Sequence, residues 1–222
     1  MAARGRTGNL GLAKLDNIAR LSEVTELLRQ LPAAKRAILL KAVTELFAEE
    51  AIRYKPAQVR LFDGLFNELI VGMDAEMLAG LSRRLAPIAN SPKNIIGRLA
   101  LSDDITIAEP VLVRSPCVED SVLIDIARSK GQTHILAIAC RSALASEVVD
   151  LLIARGDEVA VRYVANNKGA RISDASAVAL AERAKSDVAL AELIAKRRDI
   201  TQRVRGSAGK IQKGPPVAPA AA

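Results

Sequence analysis

The stretch from Ala139 to Ala165 restarts itself. Ala139-Cys140-Arg141 leads into the apolar spacing Val148, Leu151, Leu152, then Gly156 and Asp157 punctuate the chain, and Val164-Ala165-Asn166-Asn167 opens the next cycle toward Val178 and Leu180. A weaker copy precedes it, from Leu99-Ala100-Leu101 to Val111-Leu112, and a degenerate one follows at Ile194-Ala195-Lys196. Self-similarity on a scale of roughly 20–50 residues marks short helical units that stack because none can bury its apolar face alone. An all-α solenoid of short antiparallel helix pairs is therefore expected. Such a fold supplies a surface before it supplies chemistry.

The composition fits that reading. Half of the 222 residues are hydrophobic, yet only 2% are aromatic and there is no tryptophan. The interior must be built from Ala, Leu, Ile and Val, which pack helices closely and, for Ala and Leu, favour the helix intrinsically. The net charge of +7 is unevenly placed: two positive charges sit at Arg4 and Arg6 and a net six in residues 196–222, so the body between is left near neutral, at −1. A nucleic-acid-binding domain carries its charge on a folded face. Here the basicity lies in tails, which read first as solvated segments and second as a route to nucleic acid or anionic lipid.

Cys117 and Cys140 sit in apolar stretches without CxxC spacing, so buried free thiols are expected rather than a disulfide. No apolar run of the secretory type follows the basic first residues, and no window approaches ~18 consecutive apolar residues. A cytoplasmic protein without a membrane span is the expectation.

Residues 1–9 read as a flexible basic tail. Residues 10–91 read as a four-helix section packed onto the solenoid, with apolar spacing at Leu15, Ile18, Leu21, Val24 and Leu28, then breaks at Pro32, Pro56 and Asp74. In its third helix Val59, Phe62 and Phe66 are expected inside, and Asp63 and Glu68 outside. Residues 92–200 carry the repeats, as helices near Ile95–Leu99, Asp104–Ser115, Val118–Arg128 (with Gly131 at its end), His134–Cys140, Ser146–Arg155, Asp157–Ala165, Ser173–Lys185 and Asp187–Arg197. Residues 201–222, rich in Pro, Ala, Gly and Lys toward the end, read as a disordered tail.

The phrase Asp104-Ile105 … Ile107-Ala108-Glu109-Pro110-Val111-Leu112 … Ser115-Pro116, with His134-Ile135 … Ala137-Ile138-Ala139-Cys140-Arg141, resembles the bacterial DUF2336 family. So does Asp150-Leu151-Leu152 … Gly156-Asp157 … Val161 … Val164-Ala165-Asn166-Asn167. The family is found in alphaproteobacteria and looks like a relative of HEAT and leucine-rich-repeat-variant proteins. The resemblance implies an α–α superhelix, a HEAT-like solenoid, and carries over no catalytic residue.

No constellation in the chain requires chemistry. His134 is the only histidine, which removes a multi-histidine metal site, and its place at a helix start suits a capping or surface role. Asp103-Asp104, Glu119-Asp120 and Asp157-Glu158 each stand at an expected helix start, where the macrodipole accounts for them. Neither a Walker A nor a dinucleotide fingerprint is present. No catalytic residue, metal or cofactor is expected, and a non-enzymatic adaptor acting on another protein is the leading reading. Nucleic acid, through the basic tails, is the second.

Four residues stand out as partner-binding candidates: Arg141, Arg162, Asn166 and Asn167. Arg141 and Asn167 occupy matching places in consecutive repeats, so in a stack they should form a row along one face. The competing reading is that they satisfy carbonyls at helix ends.

Overall fold

The computed structural model describes residues 26–28 and 30–211, with side chains as far as Arg205 and the backbone beyond. Twelve α-helices follow one another in this span: α1 Ala33–Glu50, which runs into a 3-10 turn at Ala51–Arg53, α2 Pro56–Leu69, α3 Ala75–Leu85, α4 Lys93–Ala100, α5 Ile105–Arg114, α6 Asp120–Ser129, α7 Gln132–Ala139, α8 Ser146–Arg155, α9 Glu158–Asn166, α10 Asp174–Arg183, α11 Val188–Ala195 and α12 Arg198–Ile211. Asp74, Asp104, Asp157, Ser173 and Asp187 cap α3, α5, α9, α10 and α11 through their side chains. Each satisfies one of the amide donors that a helix start leaves open.

The helices form two layers. In one, α1, α3, α5, α7, α9 and α11 lie side by side in chain order. In the other, α2 lies beside α4, and α6, α8, α10 and α12 stack in sequence, while α4 leans on α5. One apolar cluster runs unbroken from Leu28 to Ile200. Its first part contains an aromatic knot of Phe47, Tyr54, Phe62 and Phe66, with Phe47 and Phe62 edge to face at 5.0 Å between ring centres. The later part is Ile, Leu, Val and Ala, such as Ile135, Ile138, Val148 and Leu152. Short aliphatic side chains permit the tight loops between repeats. At Gly169 a Cβ would run into the Ser142 carbonyl, because here the two loops bridge through Leu144 N–H to the Gly169 carbonyl (3.2 Å) and Arg171 N–H to the Leu144 carbonyl (3.0 Å).

Several expectations are corrected. Asp63, expected outside, is buried: it accepts from the backbone N–H of Ile95 at 2.9 Å and of Asn94 at 3.3 Å, capping α4, which has no side-chain cap of its own. His134, expected at the surface, is 4% exposed, and its Nε2 lies 2.9 Å from the Ser102 carbonyl of the preceding repeat. Cys140 is exposed and Cys117 half-buried, so neither free thiol belongs to the core. Gly131 precedes α7 as its N-cap instead of ending α6. Residues 201–211 are helical, not a tail, because Ile200 and Val204, four apart, anchor α12 on the core. The proposed tail 1–9 and most of the first helix (10–25), like residues 212–222, lie outside the described residues.

Candidate functional site

A helix end leaves its last four carbonyls without partners. In a two-layer stack the helices of one layer run parallel, so these ends fall along one edge, one repeat apart. The chain meets that demand with side chains borrowed from the following repeat. After α7, the Arg141 guanidinium donates to the carbonyls of Leu112 (2.5 Å) and Ser115 (2.9 Å) at the end of α5. After α9, Asn167 Nδ2 donates to the Arg141 carbonyl at 2.6 Å. After α11, the Arg197 guanidinium donates to the carbonyls of Asn167 (2.6 Å) and Ala165 (3.2 Å). A continuous ladder results, in which each rung's side chain holds the backbone of the rung before it. It extends toward the start of the chain through Cys117, whose Sγ donates to the Ala89 carbonyl at 3.2 Å, and Asn90, whose Nδ2 donates to the Ala51 carbonyl at 2.7 Å.

The second layer has its own version. Arg98 in α4 donates to the Asn67 side-chain oxygen at 2.8 Å, Arg155 at the end of α8 to the carbonyls of Ala127 and Arg128, and Arg183 at the end of α10 to the Gly156 carbonyl at 2.9 Å. Arginine suits the task because one planar fork reaches two or three carbonyls at once and keeps its charge in partial burial. For Arg141 that burial opposes the charge and lowers the guanidinium pKa.

Of the four candidates, then, Arg141 and Asn167 do form a row, but their donors turn inward along the stack. Arg162 and Asn166 lie elsewhere, on α9. They line a shallow groove of about 250 Å³ between α9 and α11, together with Val159, Tyr163 and Leu193. Tyr163 is 51% and Val159 47% exposed. Arg162 is held in place: its Nε donates to the Asp187 carboxylate at 2.8 Å, and Glu158 approaches from its own helix at 3.3 Å. That bond, helped by the Leu190 backbone N–H, keeps the Asp187 carboxyl below the usual carboxylate range. The Tyr163–Val159 pair escaped the sequence reading because four-residue apolar spacing on a helix looks like core.

Residues 107–207 match the family model of DUF2336, described as an uncharacterised protein conserved in bacteria. Over that span, a little under half of the chain, the sequence is similar to the DUF2336 family. No curated protein and no solved structure matches it. The matched span starts in α5 and ends in α12, so the inter-repeat ladder from Arg141 to Arg197 falls wholly within this DUF2336 region. No group of three or more His, Cys, Asp or Glu residues among the described ones could hold a metal ion, and no helix among them is long and apolar enough to cross a membrane.

Proposed function

We propose that this chain, similar to DUF2336 over residues 107–207, is a non-enzymatic, HEAT-like adaptor or regulatory protein of the cytoplasm that acts by protein–protein contact. One observation carries the proposal: the groove of Val159, Tyr163 and Leu193, rimmed by Arg162 and Asn166, is apolar, partly exposed and carried on helices α9 and α11. Interfaces draw most of their affinity from a few anchors, with tyrosine and arginine over-represented among them. The groove offers a half-exposed tyrosine and an arginine whose direction Asp187 has already set. Its partner would be a protein segment that inserts one apolar side chain beside Tyr163 and presents a polar group to Asn166.

The test compares proteins captured by the native chain and by Tyr163→Asp, after thermal melts show the two equally stable. The reading expects a defined subset of captured proteins to be lost with Tyr163→Asp. An unchanged set would refute it. A nucleic-acid reading draws support from the basic, exposed Arg198 and Arg205 of α12. It requires tight binding to duplex or single-stranded DNA or RNA with a steep salt dependence, abolished by Arg198→Glu with Arg205→Glu.

A further inference from the structure

The two ends of the α9–α11 groove differ in charge. On α9 the groove face is Val159, Tyr163 and Asn166; on α11 the residues at the same helical spacing are Ala189, Leu193 and Lys196, the last being the C-cap of that helix in αR conformation. Toward the starts of both helices Arg162 is already engaged, by Asp187 at 2.8 Å and Glu158 at 3.3 Å, so its charge is satisfied within the protein.

At the other end the charge is unanswered. Lys168 stands two residues past α9 and Lys196 three residues past Leu193, and both are exposed. The Arg197 guanidinium brings them to one rung of the stack, since it donates to the carbonyls of Ala165, Asn167 and Ala170 on either side of Lys168. Arg171 and Arg198, also exposed, flank the pair. Asp174 and Asp199, the carboxylates that follow, receive Arg203 at 2.8 Å and Arg197 at 2.6 Å. Among the described residues Lys168, Arg171, Lys196 and Arg198 form no ion pair. Cations after a helix also answer its macrodipole, but at the end of α9 Arg197 already covers the carbonyls.

An apolar trough with a basic mouth fits a peptide that is apolar at one point and acidic just beyond it. A nucleic acid fits less well: its charge is uniform along the strand, and phosphates lying along the trough would meet Glu158, Asp187 and Glu192. From Leu193 to Lys196 the axial advance is ~4.5 Å and a lysine side chain reaches about 6 Å further. An extended peptide advances ~3.3 Å per residue, which puts its acidic residues about two to four positions from the apolar anchor. Taking the groove as the docking site proposed above, we infer that it binds an acidic segment of a partner protein. The segment's apolar residue lies against Tyr163 and Leu193, and its carboxylates lie on Lys168 and Lys196.

A phage-displayed library of random peptides, selected on the full-length chain, tests this, with binding of the enriched peptides read by fluorescence anisotropy and folding of each variant checked by thermal melts. Enriched sequences should carry an apolar residue with Asp or Glu about two to four positions away. Lys168→Glu with Lys196→Glu should weaken their binding by about tenfold at low salt and by less at high salt. Lys35→Glu with Lys41→Glu, an equal change of charge at exposed positions of α1, should alter it by less than about twofold. Peptides lost with Tyr163→Asp but showing no acidic preference would overturn the acidic partner and leave the groove as a docking site. Peptides insensitive to Tyr163→Asp, or no enrichment at all, would overturn both. A labelled random-sequence RNA or DNA that binds as tightly as the peptides, and is lost with Lys168→Glu and Lys196→Glu, would overturn the inference in favour of nucleic acid.

Discussion

Arg197→Ala removes the last rung of the ladder and offers the sharpest stability prediction. The guanidinium is 9% exposed and donates to the carbonyls of Asn167 at 2.6 Å and Ala165 at 3.2 Å, while the Asp199 carboxylate receives its Nη2 at 2.6 Å and its Nε at 2.8 Å. Hydrogen bonds from a charged donor contribute roughly 1.5–3 kcal/mol each, and an orphaned buried carbonyl costs about 1–3 kcal/mol. The carbonyls of Ala165, Asn167 and, at 3.5 Å, Ala170 lose this donor, although Asn167 keeps the Ala170 N–H, and the native guanidinium has already lost part of its own hydration, so a net loss of about 3 kcal/mol is expected. In a chain of this size that lowers Tm by about 6–12 °C, measured by circular dichroism at 222 nm. Arg198, the next residue, is exposed, and Arg198→Ala should shift Tm by less than about 2 °C. Arg197→Lys should fall between the two, since one ammonium cannot serve both carbonyls and the bidentate Asp199 contact. If Arg197→Ala melts no lower than Arg198→Ala, the ladder does not hold the repeats and the reasoning fails.

Three further outcomes follow from the same geometry. Gly169→Ala should destabilise the chain by about 2 kcal/mol, read by urea unfolding, because its Cβ would meet the Ser142 carbonyl, whereas Gly97→Ala in α4, where nothing lies within 4 Å, should be neutral or mildly stabilising. Asp63→Ala should cost about 1–2 kcal/mol and speed amide exchange at Ile95, since α4 then loses its only N-terminal acceptor from a side chain. The carboxyls of Asp103, Asp104, Glu119, Asp187 and Asp199 are all held below their ordinary values, mainly by hydrogen bonds from Lys130, Thr106, Lys93, Arg162 and Arg197 respectively. Depressed folded-state values mean the stabilisation is complete above the unfolded carboxyl pKa of ~4 and is lost as pH falls through the lower folded values. Tm should therefore be flat between about pH 5 and 8 and drop below pH 4, and a Tm that rose on acidification would contradict those pairings.

The repeat helices were legible because periodicity and capping residues agree. Ser146–Arg155 was placed to the residue, and Asp74, Asp104 and Asp157 do cap helices. The matching of Arg141 with Asn167 was also visible as sequence register. What stayed hidden was direction: a polar residue after a helix reads the same whether it faces solvent or reaches back one repeat. Asp63 and His134 were misplaced for that reason, each being drawn inward by a backbone group some thirty residues away in sequence. The helix beyond Arg198 was missed because Arg, Gly and Lys dominate its composition, while two apolar contacts at Ile200 and Val204 suffice to dock it.

The central claim is that side chains of one repeat hold the helix ends of the repeat before it. Amide hydrogen exchange of Arg141→Ala, followed residue by residue, tests it most directly. The account predicts lost protection at the last turn of α5, including the Ser115 N–H that bonds the Val111 carbonyl, with α7 itself little changed. Lost protection confined to the neighbourhood of residue 141, with α5 unchanged, would contradict it.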